Sequence, residues 1–250
     1  MTGIRDDESV NHLQITRSQL HTSIIFFIIT WSLALGLWYF RGLDKTILFA
    51  LNNGNFNDTV GVLSQLISRY GMAFIAGINL ILLIYTFKDE NMKKLRPVLL
   101  LTIISYAVAS ISGDLLKLAI DRPRPIVTYP GELNFLTNSN SPSFPSGHAT
   151  KSVALAAPLC FNNMLNNRIT WASKLIATLT AILVCLSRIV LGAHYLSDVL
   201  AGAGWSVLCL PVSVFLADRF LSKMSPERYE FASRMWIIVY IMLMLFLATI

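Results

Sequence analysis

Charge is what this 250-residue sequence has least of: only 14% of its residues are Asp, Glu, Lys or Arg, against roughly 25% in an ordinary soluble domain. Apolar residues make up 54%, and the mean hydropathy is +0.59. A soluble chain of this size could not cover its surface with so little charge, which excludes an ordinary soluble domain and points to the membrane. Cysteine is also scarce. Cys160, Cys185 and Cys209 each fall in an apolar run, match no metal-ligand spacing and give no disulfide framework; they read as small apolar fillers. There is no internal repeat and no low-complexity tract. The first twenty residues lack a short apolar stretch followed by a small-residue cleavage site, so the full-length apolar run after them reads as an uncleaved signal anchor. Nor do the basic residues collect on one face. The net charge is +6, but Lys and Arg sit in short clusters between apolar runs, which fits loops meeting anionic headgroups and argues against nucleic acid as a partner.

What is present is a series of apolar segments of spanning length. Six run approximately from His21 to Phe40, Gly71 to Phe87, Val98 to Leu116, His148 to Met164, Trp171 to Val190 and Tyr195 to Ala217. The expected fold is therefore all-α: a polytopic membrane helical bundle of about six transmembrane helices, one domain over residues 1–250. Its core would cover 98–217, with 1–20 a cytoplasmic tail and 218–250 a C-terminal extension. Met235 to Ile250 is apolar but shorter than the roughly 20 residues of a span, and reads as either a tilted seventh helix or an interfacial segment. Residues 56–70 carry Val60, Leu63, Leu66 and Ile67 at helical spacing, the pattern of an amphipathic helix lying along the membrane surface.

Orientation follows from the basic residues. Arg5, Arg17, Lys88, Lys93, Lys94, Arg96, Arg168, Lys174, Arg219, Lys223, Arg228 and Arg234 fall on one side. That side is expected to be cytoplasmic, with the amino terminus, in a plasma (inner) membrane. The stretch from Lys117 to Gly147 then faces the periplasm or exterior. Within it, residues 126–144 hold Pro130, Gly131, Pro142 and a run of Asn and Ser. These exclude regular structure and mark a binding loop or lid.

Chemistry-bearing residues flank that loop in three clusters. Lys117, Arg122 and Arg124 come first, then Pro145, Ser146, Gly147 and His148, then Ser187, Arg188, His194 and Asp198. Lys117, Arg124 and Arg188 supply three cations at span ends, where they either snorkel to the interface or mark a site. Together they suit a multiply charged anion such as phosphate. The Pro-Ser-Gly-His turn opens a helix whose N–H groups would point at an anion, with Ser146 as cap and Gly147 allowing close approach. His194 and Asp198 are four apart, so a helix starting there places both on one face, with Asp198 accepting the Nδ1 proton and Nε2 left free. Arg122 and Lys151 are accessory candidates, for a second anion contact and a substrate headgroup. Asp114 would hold or pair with Lys117, and Trp31, Trp38, Trp171 and Trp205 read as interfacial or packing aromatics. His12 and His21 stand alone near the first span. No carboxylate cluster or His-rich spacing accompanies the site, so neither metal nor cofactor is expected.

Taken together, K-x6-R-P (Lys117, Arg124, Pro125), P-S-G-H (Pro145 to His148) and S-R-x5-H-x3-D (Ser187, Arg188, His194, Asp198) resemble the three-part signature of the type 2 phosphatidic acid phosphatase superfamily. Every signature position is present and in order. The resemblance implies a helical-bundle core and metal-free phosphoryl transfer. In it His194 attacks phosphorus and becomes a phosphohistidine, and Asp198 orients it. Lys117, Arg124, Arg188, Ser146 and the N–H of Gly147 hold the phosphate, and His148 protonates the leaving oxygen and then activates water. The implied substrate is a lipid phosphate or pyrophosphate: undecaprenyl pyrophosphate, phosphatidylglycerophosphate, phosphatidic acid or lipid A. A phosphotransferase passing the group to a second lipid such as lipid A would use the same residues. Vanadium-dependent haloperoxidases carry a similar signature but are soluble, and a transporter would need its charges near the midplane rather than at span ends.

Overall fold

Chain segments this apolar must satisfy their backbone internally, which in a bilayer leaves helices as the way to cross. In the computed structural model, which describes residues 13–52, 58–134, 141–161 and 167–249, all regular structure is helical. The helices are α1 (Arg17–Tyr39), α2 (Arg41–Leu51), α3 (Asp58–Tyr85), α4 (Arg96–Ile120), α5 (Pro125–Thr128), α6 (Gly147–Phe161), α7 (Arg168–Val190), α8 (Leu196–Leu221) and α9 (Pro226–Leu247), with a 3-10 turn at Glu90–Leu95 before α4. Among the described residues six helices are long and apolar enough to span: α1, α3, α4, α7, α8 and α9. The protein is an integral membrane helical bundle.

Two of the expected boundaries move. The segment expected to lie flat on the membrane is instead the first half of the 28-residue α3. Two of its polar residues face inward: Ser64 and Ser68 are buried while Val62, Leu63 and Leu66 are exposed. That is the reverse of a surface helix in water, and it suits a helix whose outer face meets lipid. The C-terminal apolar stretch is also longer than its apolar part suggested, because the helix begins at Pro226 and runs 22 residues, about 33 Å at 1.5 Å per residue. Ser225 caps it, accepting from Arg228 N at 3.3 Å. Tyr240, fully buried, fastens it by donating to Leu99 O at 2.6 Å. The short α6 has 15 described residues, and the end expected near Met164 falls outside the described ones.

Packing sorts the helices. α6 and α8 pack on α4 and on each other, α7 packs on α6, α3 on α7 and α9, and α1 on α8. Within their apolar windows α8, α3 and α4 are 56%, 50% and 44% buried, whereas α1 and α9 are only 17% buried. An outward apolar surface this continuous belongs against lipid. Close approach is set by small residues. A Cβ on Gly204 would lie 2.1 Å from Thr30 Oγ1 of α1, so α1 can lie against α8 only because that position is glycine. Between α3 and α6 the contact is polar: buried Asn79 donates to Leu155 O at 3.2 Å.

Since α4 and α7 run one way and α6 and α8 the other, the C-terminal ends of the first pair meet the N-terminal starts of the second. All three chemistry-bearing clusters lie at that end. At the opposite end buried Arg96 donates to Glu230 Oε2 at 2.5 Å and to Thr86, tying α4, α3 and α9 together.

Candidate active site

The start of α8 organises the site. After α7 the chain reverses at Gly192, whose φ of +67° is left-handed and open to glycine at no steric cost. Ala193 and His194 both donate their N–H to Arg188 O, at 3.0 and 3.2 Å. His194 therefore precedes the helix: Tyr195 is the N-cap and Leu196 the first helical residue. The pair four residues apart is not carried on one helical face, as its spacing suggested. Asp198 sits in the first turn and turns back, accepting from Tyr195 N at 2.9 Å, which brings it to the imidazole.

That approach is indirect. Asp198 Oδ2 lies 3.4 Å from His194 Nδ1, long for a hydrogen bond. Ser143 stands between them: its hydroxyl donates to Asp198 Oδ2 at 2.5 Å, and its oxygen lies 3.3 Å from His194 Nδ1. An imidazole N–H at Nδ1 donating to Ser143 Oγ leaves the Nε2 lone pair free. Ser143 comes from the end of the long loop and belongs to no motif. Burial, followed by the charges of Arg124, Arg188 and Lys117, holds His194 well below the usual histidine range, so the ring is neutral near pH 7.

The cations come from three places. Lys117 lies in the last turn of α4, with Nζ 3.5 Å from where a Cβ on Gly147 would be. Arg124 is the N-cap of α5 and is braced by the loop, donating through Nε to Ser141 O at 2.6 Å and through Nη1 to Ala193 O at 3.2 Å. Arg188 ends α7 and donates from Nη1 to Ser68 Oγ of α3 at 2.5 Å. The turn at Pro145–His148 faces them. Ser146 N donates to Asp198 O at 2.9 Å, and Phe144 packs against Trp31 and Trp38 with ring centroids 5.6 and 5.1 Å away. α8 comes close because of Gly202, where a Cβ would lie 2.6 Å from Ser146 O.

The structure thus brings Lys117, Arg124, Ser146, Gly147, His148, Arg188, His194 and Asp198 to one end of the bundle. Lys117 is within electrostatic reach of Arg124, Lys151 and Asp198; His148 is within reach of Arg188, His194, Lys151 and Lys117. Among the described residues Ser146 Oγ and Arg188 Nε belong to the few buried side-chain atoms without a hydrogen-bond partner, and these two lie within the clusters that the signature marks. Lys151 lies beside Gly147, with Asp114 and Thr150.

Arg122 is placed differently from the second anion contact its sequence position suggested. Its guanidinium is committed to Asp198, Ser197 and Asp44, because α2, which the sequence pattern did not reveal, brings Asp44 underneath it. Asn52 at the end of α2 fastens the loop in turn, donating to Asn134 O at 2.9 Å and to Val190 O at 2.8 Å. The loop is also less irregular than expected, since Pro125–Thr128 forms the short α5; residues 135–140 fall outside the described ones. No group of three or more His, Cys, Asp or Glu able to hold a metal occurs among the described residues.

Comparison with known proteins agrees with this layout. The family model of the PAP2 superfamily matches residues 97–221, a range that contains every signature position but neither Asp44 nor Ser68. Phosphatidylglycerophosphatase B of Bacillus subtilis (strain 168) is 30% identical over 137 residues, 52% of this chain and 62% of the relative. Undecaprenyl-diphosphatase of Sulfolobus acidocaldarius is 27% identical over 156 residues, 62% of this chain and 69% of the relative. The alignment therefore spans less than two thirds of the Bacillus relative. Among solved structures, the crystal structure of a transmembrane PAP2 type phosphatidylglycerolphosphate phosphatase from Bacillus subtilis superposes with a TM-score of 0.57 at 22% identity, covering 83% of this chain and 98% of that one. That likeness carries the fold.

Proposed function

From a chain that belongs to the PAP2 superfamily, the type 2 phosphatidic acid phosphatases, we propose an enzyme that hydrolyses a lipid phosphate or pyrophosphate through a phosphohistidine on His194. The observation that carries the reading is a neutral, buried histidine surrounded by cations, with Arg188 Nε and Ser146 Oγ buried and unpartnered beside it. Three cations are costly so close to hydrocarbon, and a phosphate would supply counter-charge beyond what Asp198 and Asp114 give.

In this mechanism Lys117, Arg124 and Arg188 hold the phosphate oxygens, with Ser146 Oγ and the N–H of Gly147. The Nε2 lone pair of His194 attacks phosphorus in line with the leaving oxygen. The P–N bond forms as the P–O bond to the lipid breaks, and the electron pair leaves on that oxygen, which takes a proton from the His148 imidazolium, a form that the negative charge of the bound phosphate would stabilise against the surrounding cations. In the second step His148 takes a proton from water, whose oxygen attacks phosphorus and releases His194 and inorganic phosphate. Ser143 and Asp198 keep the Nδ1 proton in place throughout. Three cations already balance the phosphate, so we read the reaction as needing no metal and no cofactor.

The substrate classes favoured are phosphatidylglycerophosphate and undecaprenyl pyrophosphate, after the named relatives, with phosphatidic acid and lipid A as further candidates. The basic loops place the amino terminus in the cytoplasm and the site at the outer headgroup level of the plasma (inner) membrane. We read residues 1–250 as one domain around the 98–217 core, with α9 of the 218–250 extension packed chiefly on α3. The test is phosphate release by purified protein in detergent across these four lipids, with His194→Ala and His148→Ala. Release should fall by several orders of magnitude with the first variant and by about 10²–10⁴ with the second. No release from any lipid, or full release by His194→Ala, would overturn the reading.

A further inference from the structure

Asp44 lies on α2, outside the region matched by the family model, and the mechanism above gives it no part. Yet it is 1% exposed, and a buried carboxylate is expensive unless fully paired. Its partners all lie around the start of α8. Asp44 Oδ1 accepts from Ser197 N at 3.2 Å, and Oδ2 accepts from Ser197 Oγ at 2.5 Å and from Arg122 Nη2 at 3.1 Å. From the same guanidinium, Nη1 donates to Asp198 Oδ1 at 2.6 Å. The Arg122 group is held between aromatic faces, 4.8 Å from the Trp38 ring and 4.1 Å from the Tyr195 ring.

One arginine fork is thus shared between two carboxylates, although an arginine facing a single carboxylate prefers to grip both of its oxygens. By occupying Nη2, Asp44 confines Arg122 to Oδ1 of Asp198. Oδ2 stays free for Ser143, for Tyr195 N and for the imidazole side of the site. We propose that Asp44 is a positioning residue: it keeps Arg122 from taking both oxygens of Asp198 and so preserves the contact chain that orients His194. This rests on the phosphatase reading above. Removing the negative charge of Asp44 would let the fork swing onto Oδ2, and the Ser143 hydroxyl would lose its acceptor.

The test uses Asp44→Asn in the full-length chain, which keeps an oxygen for Ser197 N and replaces the charged acceptor facing Arg122 and Ser197 Oγ with an amide NH2, assayed with phosphatidic acid in mixed micelles. We expect kcat to fall at least tenfold with KM within about threefold and thermal stability close to wild type. The double variant Asp44→Asn/Arg122→Gln should be no worse than Arg122→Gln, since both act through one contact chain. Wild-type kcat per folded molecule, with or without a loss of stability, overturns the proposal. Should Asp44→Asn not fold, Arg122→Lys keeps the charge without a fork that could take both oxygens of Asp198, so its kcat should stay within about threefold of wild type; a tenfold fall would show that the fork itself, and not its restraint by Asp44, orients the site, and overturns the proposal. Wild-type protein whose phosphate release does not depend on His194 would instead overturn the phosphatase reading itself, and Asp44's role with it.

Discussion

The contact most exposed to a single methyl group is the one between Gly202 and the Pro145–His148 turn. A Cβ at Gly202 would stand 2.6 Å from Ser146 O, 3.0 Å from Thr150 Oγ1 and 3.2 Å from Ala149 Cβ. Ordinary contact begins near 3.4 Å, so Gly202→Ala must open this junction by 3.4 − 2.6, about 0.8 Å. No flexible side chain can absorb it, because the blocking atom is a backbone carbonyl. That carbonyl also accepts Thr150 N at 3.0 Å, closing the first turn of α6, so the turn must move as a unit and carry Ser146 and His148 with it. Overpacking of this kind costs about 1–3 kcal/mol in stability. A displacement of about 1 Å at reacting groups is worth about 10² in rate. Gly202→Ala should therefore lower kcat for phosphate release 10- to 100-fold and lower the melting temperature in detergent. The control is Gly36→Ala on α1, where a Cβ meets nothing within 4 Å; it should keep wild-type kcat and gain up to about 1 kcal/mol from helix propensity. A Gly202→Ala enzyme within twofold of wild type in kcat would refute the claim that this junction positions His148.

Ser68→Ala removes the hydroxyl that holds Arg188 Nη1; a hydrogen bond to a charged group is worth about 1.5–3 kcal/mol, so KM should rise about tenfold or more in steady-state assays, with a smaller change in kcat. His194 has its folded-state pKa depressed below its unfolded value, so its contribution to stability is complete above about pH 6.5 and is lost as the pH falls below it. Chemical denaturation between pH 8 and 5 should show this loss, at most about 1.4 kcal/mol per pH unit, and His194→Gln should show a flatter curve. Incubation with a chelator, followed by assay with and without added Mg²⁺, should leave phosphate release unchanged; activity that vanishes and returns with Mg²⁺ would contradict a reaction run on cations of the chain alone.

What was legible in the sequence was whatever local chemistry marks by itself. Lys117, Arg124, Arg188, His148, His194 and Asp198 stood out because ionisable groups at the ends of apolar spans are rare, and their spacing within each cluster is fixed by one turn or one helix start. Asp44, Ser68, Ser143 and Asn52 carried no such mark. Each is an ordinary polar residue in its own segment and acquires a role only when α2, α3 or the loop is folded against α7 and α8. The long loop stands out as special, but among its described residues what reaches the site is the Ser143 hydroxyl between His194 and Asp198 and the Ser141 contacts to Arg124. That could not be read from a run of Asn, Ser and Pro.

The boundaries went astray for a related reason: hydropathy reports how apolar a residue is, not which side its neighbours are on. In the first half of α3 two serines, Ser64 and Ser68, are buried while Val62, Leu63 and Leu66 point outward, so a periodicity that would mark a surface helix in water marks part of a spanning helix here. In α9 the polar first turns, Pro226 to Arg234, were separated from the apolar remainder, although Arg96 and Glu230 pair within them. That pair bears on the site. α9 is otherwise mostly outward-facing, and it packs chiefly on α3, which holds Arg188 through Ser68. A fastening at one end of the bundle thus supports, through α3, a cation at the other. The lipid-facing helices that the signature leaves out are therefore packed against the helices that carry the residues proposed to bind phosphate.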